Sequence, residues 1–391
     1  MQLAEIQKAL REARLDGWLF YDHHERDPLA YRILGFRPPR HVTRRWYYLV
    51  PATGEPRGLV HRIERGMIDA LPGTKAVYSS WQLLVDGLRG LLSGCRRVAM
   101  QYSPDNVIPY VSMVDAGTVE LVRSFGVDVI TSADLIQHFE ARWTAAQLAS
   151  HLEAGRRVDE IRRAAFDRIG EALRRQEPVT EWTIKQFVLD AFQRASLFTD
   201  HGPIVAVNEN SANPHYEPAS GMHQPIRNGD VVLLDMWAKL DGDPDAVYYD
   251  ITWTGFVGAG VPSEVNNIFE IVRDARDAGI GFVTGSISAG ESIAGFQVDD
   301  AVRGHIRRFG YADQFVHRTG HSIGREVHGA GANMDNLETH DERRLIAGTC
   351  FSIEPGIYLD RFGIRSEVNM CIGEHAARVT GEIQRQLVAI L

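Results

Sequence analysis

Cysteine is scarce in this chain. Three thiols, Cys95, Cys350 and Cys371, stand among 391 residues; they are too few and too scattered for a disulfide framework and have no zinc-finger spacing, so a reducing cytoplasm is the expected compartment. Long apolar runs are missing as well, and no window reaches the length of a membrane span. The N-terminal stretch MQLAEIQKALREARLDG carries Leu3, Ile6 and Leu10 on one helical stripe, in place of the continuous apolar centre of a signal peptide. Positive charge is not in excess. A formal net charge of -9 argues against nonspecific binding to nucleic acid or anionic membranes, and the basic cluster from Arg40 to Arg45 reads as a solvated face. With no low-complexity segment and 44% apolar residues, the composition is that of an ordinary globular chain long enough for two domains.

Short apolar runs (WLFYD, WYYLV, RGLVHRI, RRVAM, VDVI) alternate with helical stretches and turn signals through the first part of the chain, the rhythm of an α/β unit. The pattern changes between Phe139 and Thr144. Thr144 with Gln147 three residues on is a capping-box signature, and it opens a charged amphipathic helix to about Gln176. The expected domains are therefore 1–141 and 144–391. The second is α+β in pattern, with helices near 180–197, 263–284 and 295–309 among strands at 203–207, 231–238, 248–257, 350–357 and 364–372. Helix-rich stretches separated by strand pairs hint at a duplication, although no repeat period is found.

Those strands hold carboxylates. LLDMW supplies Asp235, YYDITWTG supplies Asp250, and FSIEPGIYLDRFGIRSEVN supplies Glu354 and Glu367, while HRTGHSIGREVHG contributes His317, His321 and His328. Acids in apolar strands are costly unless something positive meets them. A hairpin through the polar turn KLDGDPDAV would bring Asp235 and Asp250 side by side, where they would repel without a cation. Any one of these acids alone reads as a surface charge or an arginine's partner. Four carboxylates and a histidine together suffice for two metal ions, and an oxygen-rich set with one imidazole suits manganese, cobalt, iron or zinc better than a thiolate-selected metal. Arg365, two residues before Glu367, would share its face of a strand.

The blocks DMW…YYDIT, NPHY, GHSIG…VHG, SIEPGIY and GIRSE, in that order, resemble the signature of the pita-bread metallopeptidases, the family of methionine aminopeptidase, aminopeptidase P and prolidase. The resemblance runs from about Thr144 to the C-terminus. It implies a C-terminal pita-bread (creatinase/aminopeptidase) fold, preceded by a smaller α/β domain similar to the creatinase-type N-terminal domain of prolidase and aminopeptidase P. By this resemblance Asp235 chelates one metal, Asp250 and Glu367 bridge both, and His321 and Glu354 complete the second. Two ions sharing a water lower its pKa enough to give a nucleophile at neutral pH, and Glu354 becomes the general base. His328 matches a histidine that steadies the tetrahedral oxyanion, His215 one lining the substrate site, and His317 one that closes over the peptide in proline-specific members. Other histidines, among them His23, His24, His41, His61, His138, His151 and His340, read as structural or surface residues. Arg365 either neutralises the carboxylates or clasps a substrate carboxylate.

The chain departs from the family at several points. Trp253 stands where many relatives carry arginine. The turn with Asp241, Asp243 and Asp245 is long and acidic, though it lacks the spacing and terminal glutamate of a calcium loop; His201 takes the place of an aromatic residue, and Ser366 and Val368 flank Glu367 unusually. None of these removes a ligand. The expected function is a dinuclear peptidase of Xaa-Pro dipeptides or short proline-containing peptides, a prolidase-type dipeptidase with manganese in the site and a homodimer by resemblance. Aminopeptidase P, a metal-dependent small-amide hydrolase and a binding module that has lost the chemistry are the alternatives.

Overall fold

The computed structural model describes residues 2–37 and 41–391; Arg40 of the basic cluster lies outside them. Contacts divide the chain into two compact units, Met1–Glu140 and Ala141–Leu391.

The first unit is built on six strands: β1 (Gly17–Asp22), β2 (Trp46–Pro51), β3 (Arg57–His61), β4 (Thr74–Tyr78), β5 (Arg97–Met100) and β6 (Asp128–Thr131). Their order is β4-β3-β2-β1-β5-β6, and β2 runs antiparallel to both neighbours while the other pairs are parallel. WLFYD and WYYLV fall on β1 and β2, whose every residue is buried, as continuous apolar runs require in a sheet covered on both faces. Five helices surround it: α1 (Leu3–Glu12), α2 (Pro28–Leu34), α3 (Trp81–Leu91), α4 (Ala116–Arg123) and α5 (Ala133–Ile136). Ile6 and Leu10 of the expected stripe are buried on α1. Leu84 and Leu88 of α3 share one core with Val119 and Val122 of α4 and with Leu19, Tyr47 and Leu59 of the sheet, so both helices cover the same face. Arg44 is exposed and Arg45 partly so; together with Arg26 they line a cleft at the ends of these strands.

The second unit opens with α6 (Ala145–Arg174), where the Thr144–Gln147 box closes in both directions. The remaining helices are α7 (Glu181–Arg194), α8 (Ser263–Ser288) and α9 (Gly295–Arg308). The strands are β7 (Leu197–Phe198), β8 (Ile204–Val207), β9 (Val231–Leu240), β10 (Tyr249–Phe256), β11 (Ser322–Ile323), β12 (Cys350–Ile353), β13 (Gly356–Leu359), β14 (Phe362–Arg365), β15 (Val368–Ile372), β16 (Ala377–Thr380) and β17 (Val388–Ala389). One sheet runs β17-β10-β9-β7 with β8 also on β9, another runs β11-β12-β15-β16, and β13-β14 forms a separate hairpin. Helices α6 and α7 share a core with β8, β9 and β10. Helices α8 and α9 share another with β12 to β15. The two helix pairs thus pack in separate cores, the second spanning both the β12–β15 pairing and the β13–β14 hairpin.

Two expected strands are broken. The run 350–357 divides at Glu354-Pro355 and the run 364–372 at Ser366-Glu367, so both glutamates sit in gaps rather than inside strands. Pro355 has no N–H to give a ladder. At the second gap the Glu367 N–H leaves the hairpin and donates to the Thr252 carbonyl of β10 at 3.0 Å, tying the two sheets together at this level.

Candidate metal centre

Asp235 and Asp250 come from the antiparallel pair β9 and β10, but the register sets Thr252, not Asp250, opposite Asp235. The carboxylates are therefore diagonal neighbours on one face, because Asp250 lies two residues from Thr252 and side chains alternate with a period of two. The side-by-side expectation fails by that offset. Asn369 of β15 fixes the position of Asp250: its carbonyl oxygen accepts from the Asp250 N–H at 3.0 Å, and its amide donates to the Asp250 carbonyl at 2.6 Å.

His321 directly precedes β11. Its Nδ1–H donates to the Ser322 carbonyl at 3.1 Å, which leaves the Nε2 lone pair facing Asp250 at 3.5 Å and Glu354 at 3.4 Å. This is the tautomer a metal-ligating imidazole needs. Ser352 joins the two blocks, its hydroxyl accepting from the His321 N–H at 2.9 Å and donating to Glu354 Oε1 at 3.0 Å. The approach of these strands depends on Gly320, because a Cβ there would lie 1.9 Å from the Ser352 carbonyl oxygen. That is why GH, and not another residue before the histidine, works here.

Glu367 is 1% exposed. Its Oε2 accepts from the Thr252 hydroxyl at 2.9 Å, whereas Oε1 is buried with no hydrogen-bond partner. One ligand atom each from Asp250, His321 and Glu367 lies within 4.8 Å of the others. Burial pushes the Asp250 and Glu367 carboxyls well up, reinforced by Asp235 on the first and Asp250 on the second. Burial likewise raises Glu354 and lowers His321. Among the described residues, the guanidinium that meets these four carboxylates directly is that of Arg365, through Asp235. An orphaned carboxylate oxygen, a free imidazole lone pair and surplus negative charge fit divalent cations of the oxygen-preferring or borderline kind.

Arg365 is spread across the cluster. Its Nε–H donates to Thr252 Oγ1 at 3.0 Å, Nη1 to the Tyr358 hydroxyl at 2.9 Å, and Nη2 to Asp235 Oδ2. Of the two readings of this residue, the geometry displays the counter-ion. The Tyr358 hydroxyl in turn donates to His317 Nε2 at 2.7 Å, because His317 Nδ1–H is given to the Arg318 carbonyl at 2.7 Å. Burial, then Arg365, pushes His317 down to about 3. His328 stands edge-on to His321 with centroids 4.4 Å apart, and that neighbour, then burial, pushes it down to about 3. Both rings are neutral at ordinary pH. His215 is exposed, its backbone N–H donating to Asn213 Oδ1 at 3.1 Å, and it adds a small electrostatic lowering to His328.

Sequence reasoning missed Thr252, Ser352, Tyr358 and Asn369. A signal existed: Thr252, Ser352 and Asn369 each lie two residues from an expected ligand (Asp250, Glu354 and Glu367), the spacing that puts strand residues on one face. The departures are also placed. The Arg162 guanidinium sits 3.4 Å from the ring centroid of Trp253, a cation–π contact. His201 is exposed beside Asp200, 3.4 Å away. In the acidic turn, Asp241 and Asp243 accept from backbone N–H groups of the turn itself, and Asp245 pairs with Arg325 at 2.9 Å.

The sequence profile of metallopeptidase family M24 matches residues 150–374. The Xaa-Pro dipeptidase of Lactobacillus delbrueckii subsp. lactis is 29% identical over 60% of this chain and 58% of its own length. A putative Xaa-Pro aminopeptidase of Mycoplasma pneumoniae is 32% identical over 59% of this chain and 60% of its own. The chain thus spans about three fifths of the length of these relatives. Among solved structures, dipeptidase PepE from Mycobacterium ulcerans superposes with a TM-score of 0.72 at 23% identity, covering 99% of this chain and 96% of that one. The prolidase from Pyrococcus horikoshii OT3 gives a TM-score of 0.65 at 21% identity, covering 99% of both chains. The fold is therefore α+β, a C-terminal pita-bread fold preceded by a smaller α/β creatinase-type domain.

Proposed function

Because the chain belongs to metallopeptidase family M24, we propose that it is a dinuclear metal-dependent peptidase hydrolysing Xaa-Pro bonds, a prolidase-type dipeptidase in which residues 144–391 are catalytic and 1–141 form the N-terminal domain. The observation that carries this reading is the buried convergence of Asp250, His321 and Glu367, with Glu354 against His321 and an oxygen of Glu367 left without a partner. Asp235, Asp250, His321, Glu354 and Glu367 would hold two divalent ions, manganese first among manganese, cobalt, zinc and iron. When bound, the ions supply a water acidified enough to attack at neutral pH.

Glu354 takes the proton from that water and later passes it to the leaving amine. Its burial raises its affinity for the proton, and Ser352 holds Oε1 in place. His328, neutral and open to the substrate side, is the donor available to the oxyanion. Arg365 has five N–H groups and gives three to Thr252, Tyr358 and Asp235. Two remain for a substrate carboxylate, so this role is secondary to holding Asp235. His215 at the rim and His317, steadied by Tyr358, border the peptide. The chain works on Xaa-Pro dipeptides or short proline-containing peptides, as a homodimer, in the cytoplasm; no helix of the described residues is long and apolar enough to cross a membrane.

Aminopeptidase P is the second reading, because one relative is a putative Xaa-Pro aminopeptidase at 32% identity. Hydrolysis of Ala-Pro against Ala-Pro-Ala with manganese separates the two. Faster cleavage of the dipeptide is expected, faster cleavage of the tripeptide would establish the aminopeptidase, and failure on both with metal bound would transfer the assignment to a small-amide hydrolase.

A further inference from the structure

The N-terminal unit contains a cleft of about 750 Å³. It lies at the carboxyl ends of parallel strands: His23 follows β1, His61 closes β3, and Ser79 to Trp81 follow β4. In open sheets of this kind the crevice outside the carboxyl ends is where ligands bind. From these residues we propose that the cleft binds a phosphate-bearing small molecule.

Three guanidinia, those of Arg26, Arg44 and Arg45, line it. Among the described residues none of the three has a carboxylate within ion-pair distance. The nearby acids are committed elsewhere. Asp115 accepts from Tyr21 Oη, Thr118 N and Thr118 Oγ1, each at 2.9 Å. Glu64 accepts from the N–H and hydroxyl of Thr43 and from the Arg44 N–H.

Two helices begin at the same cleft. Ser80 caps α3 through the Leu83 N–H and Asp115 caps α4 through the Thr118 N–H, and of the uncapped first-turn residues Trp81 and Gly117 line the cleft. Gly117 lines the wall and has no side chain to hold an anion off. His61 Nδ1 accepts from the Ile63 N–H at 3.1 Å, so its neutral ring carries the proton on Nε2, one more donor. Below, the buried Tyr47 hydroxyl has no hydrogen-bond partner, and its ring lies 5.1 Å from that of the lining residue Tyr21.

Donors therefore converge from strand ends, from two helix starts and from a loop. A carboxylate offers two oxygens in one plane, whereas a phosphate offers three or more in a tetrahedron, which suits donors arriving from several sides. The volume exceeds that of phosphate alone and falls in the range of small-molecule sites. Trp81, 69% exposed at the rim, presents an aromatic face to whatever the phosphate is attached to.

Isothermal titration of the manganese-loaded full chain with inorganic phosphate should give one saturable site per chain. Affinity should fall about tenfold or more in Arg44→Gln/Arg45→Gln, recover in part in Arg44→Lys/Arg45→Lys, and persist after chelation, with Tm unchanged in both variants. Phosphate should also shift the fluorescence of the parent chain and not that of Trp81→Phe. Loss of binding on chelation with the arginine variants unaffected would put the ion on the metal centre and overturn the proposal. Succinate binding as tightly as phosphate, or the absence of a saturable site, would overturn it as well.

Discussion

The two charged sites of this chain are opposites in sign and in exposure. In the second unit, four carboxylates and a histidine converge beside Arg365; Asp250 and Glu367 are 5% and 1% exposed, and Asp235 and Glu354 are partly buried. In the first unit, three arginines line an open cleft and their nearest acids are tied to backbone and hydroxyl donors. Charge in water is cheap and charge out of water is not. On the proposed reading the cage requires cations to be a settled structure, whereas the cleft stands by itself and gains only when an anion arrives. One site is coupled to folding, the other to binding alone.

Chelation should separate them most strongly. Removing the metal is expected to abolish peptide hydrolysis and lower the Tm, manganese should restore both, and phosphate affinity of the cleft should stay constant throughout. Next in size, Glu354→Gln should reduce kcat by about 10² to 10⁴, the range for a general acid or base, with KM for Ala-Pro little changed. A variant retaining more than a tenth of the parent rate would remove Glu354 from proton transfer. Third, Arg365→Met leaves Asp235 without its partner, and breaking a buried pair costs about 3–5 kcal/mol. Denaturant unfolding of the metal-free protein should show a loss toward the lower end, since Asp235 keeps some solvent contact. Arg45→Gln in the cleft should leave that stability unchanged.

Two buried groups, one in each unit, should respond to pH with opposite signs. His151, in α6, is fully buried, and burial holds it down at about 4. Between about 4 and its ordinary 6.5 the unfolded chain binds the proton and the folded one does not, so its contribution is present above 6.5 and lost as pH falls. Asp27, which caps α2, is pushed up to about 7 by burial, with Asp22 adding to it. Here the folded state holds the proton between the ordinary 3.8 and about 7, so stability is greatest at low pH and is lost as pH rises through that window. Hydrogen exchange corrected for its intrinsic pH dependence should show protection of α6 falling, and that of α2 rising, from pH 7 to pH 5. Equal trends in both helices would contradict these assignments. The smallest effect expected is that of Thr144→Ala, about 1 kcal/mol in denaturant unfolding, from the lost capping box at the start of α6.

Most elements were legible because their signals are local. The α6 start came from Thr144 and Gln147, and β1 and β2 from continuous apolar runs. The breaks at Glu354 and Glu367 were not, because a strand pattern that continues on both sides of a gap looks unbroken until hydrogen bonds to another sheet, such as Glu367 N–H to Thr252, redirect it. For the site, the convergence of Asp250, His321 and Glu367 was readable from the blocks. Thr252, Ser352, Tyr358 and Asn369 were overlooked because an uncharged residue announces nothing until its partner is known. His23 and His61 read in sequence as structural or surface residues, and only the fold brings them beside three arginines.

By itself, the sequence determined the chemistry that can occur in the second unit. Four carboxylates and an imidazole in apolar surroundings admit few solutions other than metal ions, and that constraint follows from desolvation whatever the fold. Tertiary structure alone decided the pairings. Whether Arg365 meets Asp235 or a substrate, which oxygen of Glu367 stays free, and whether Arg26, Arg44 and Arg45 disperse or converge depend on distances between residues far apart in the chain. Electrostatic and hydrogen-bond energies turn on those distances, and residue order does not encode them.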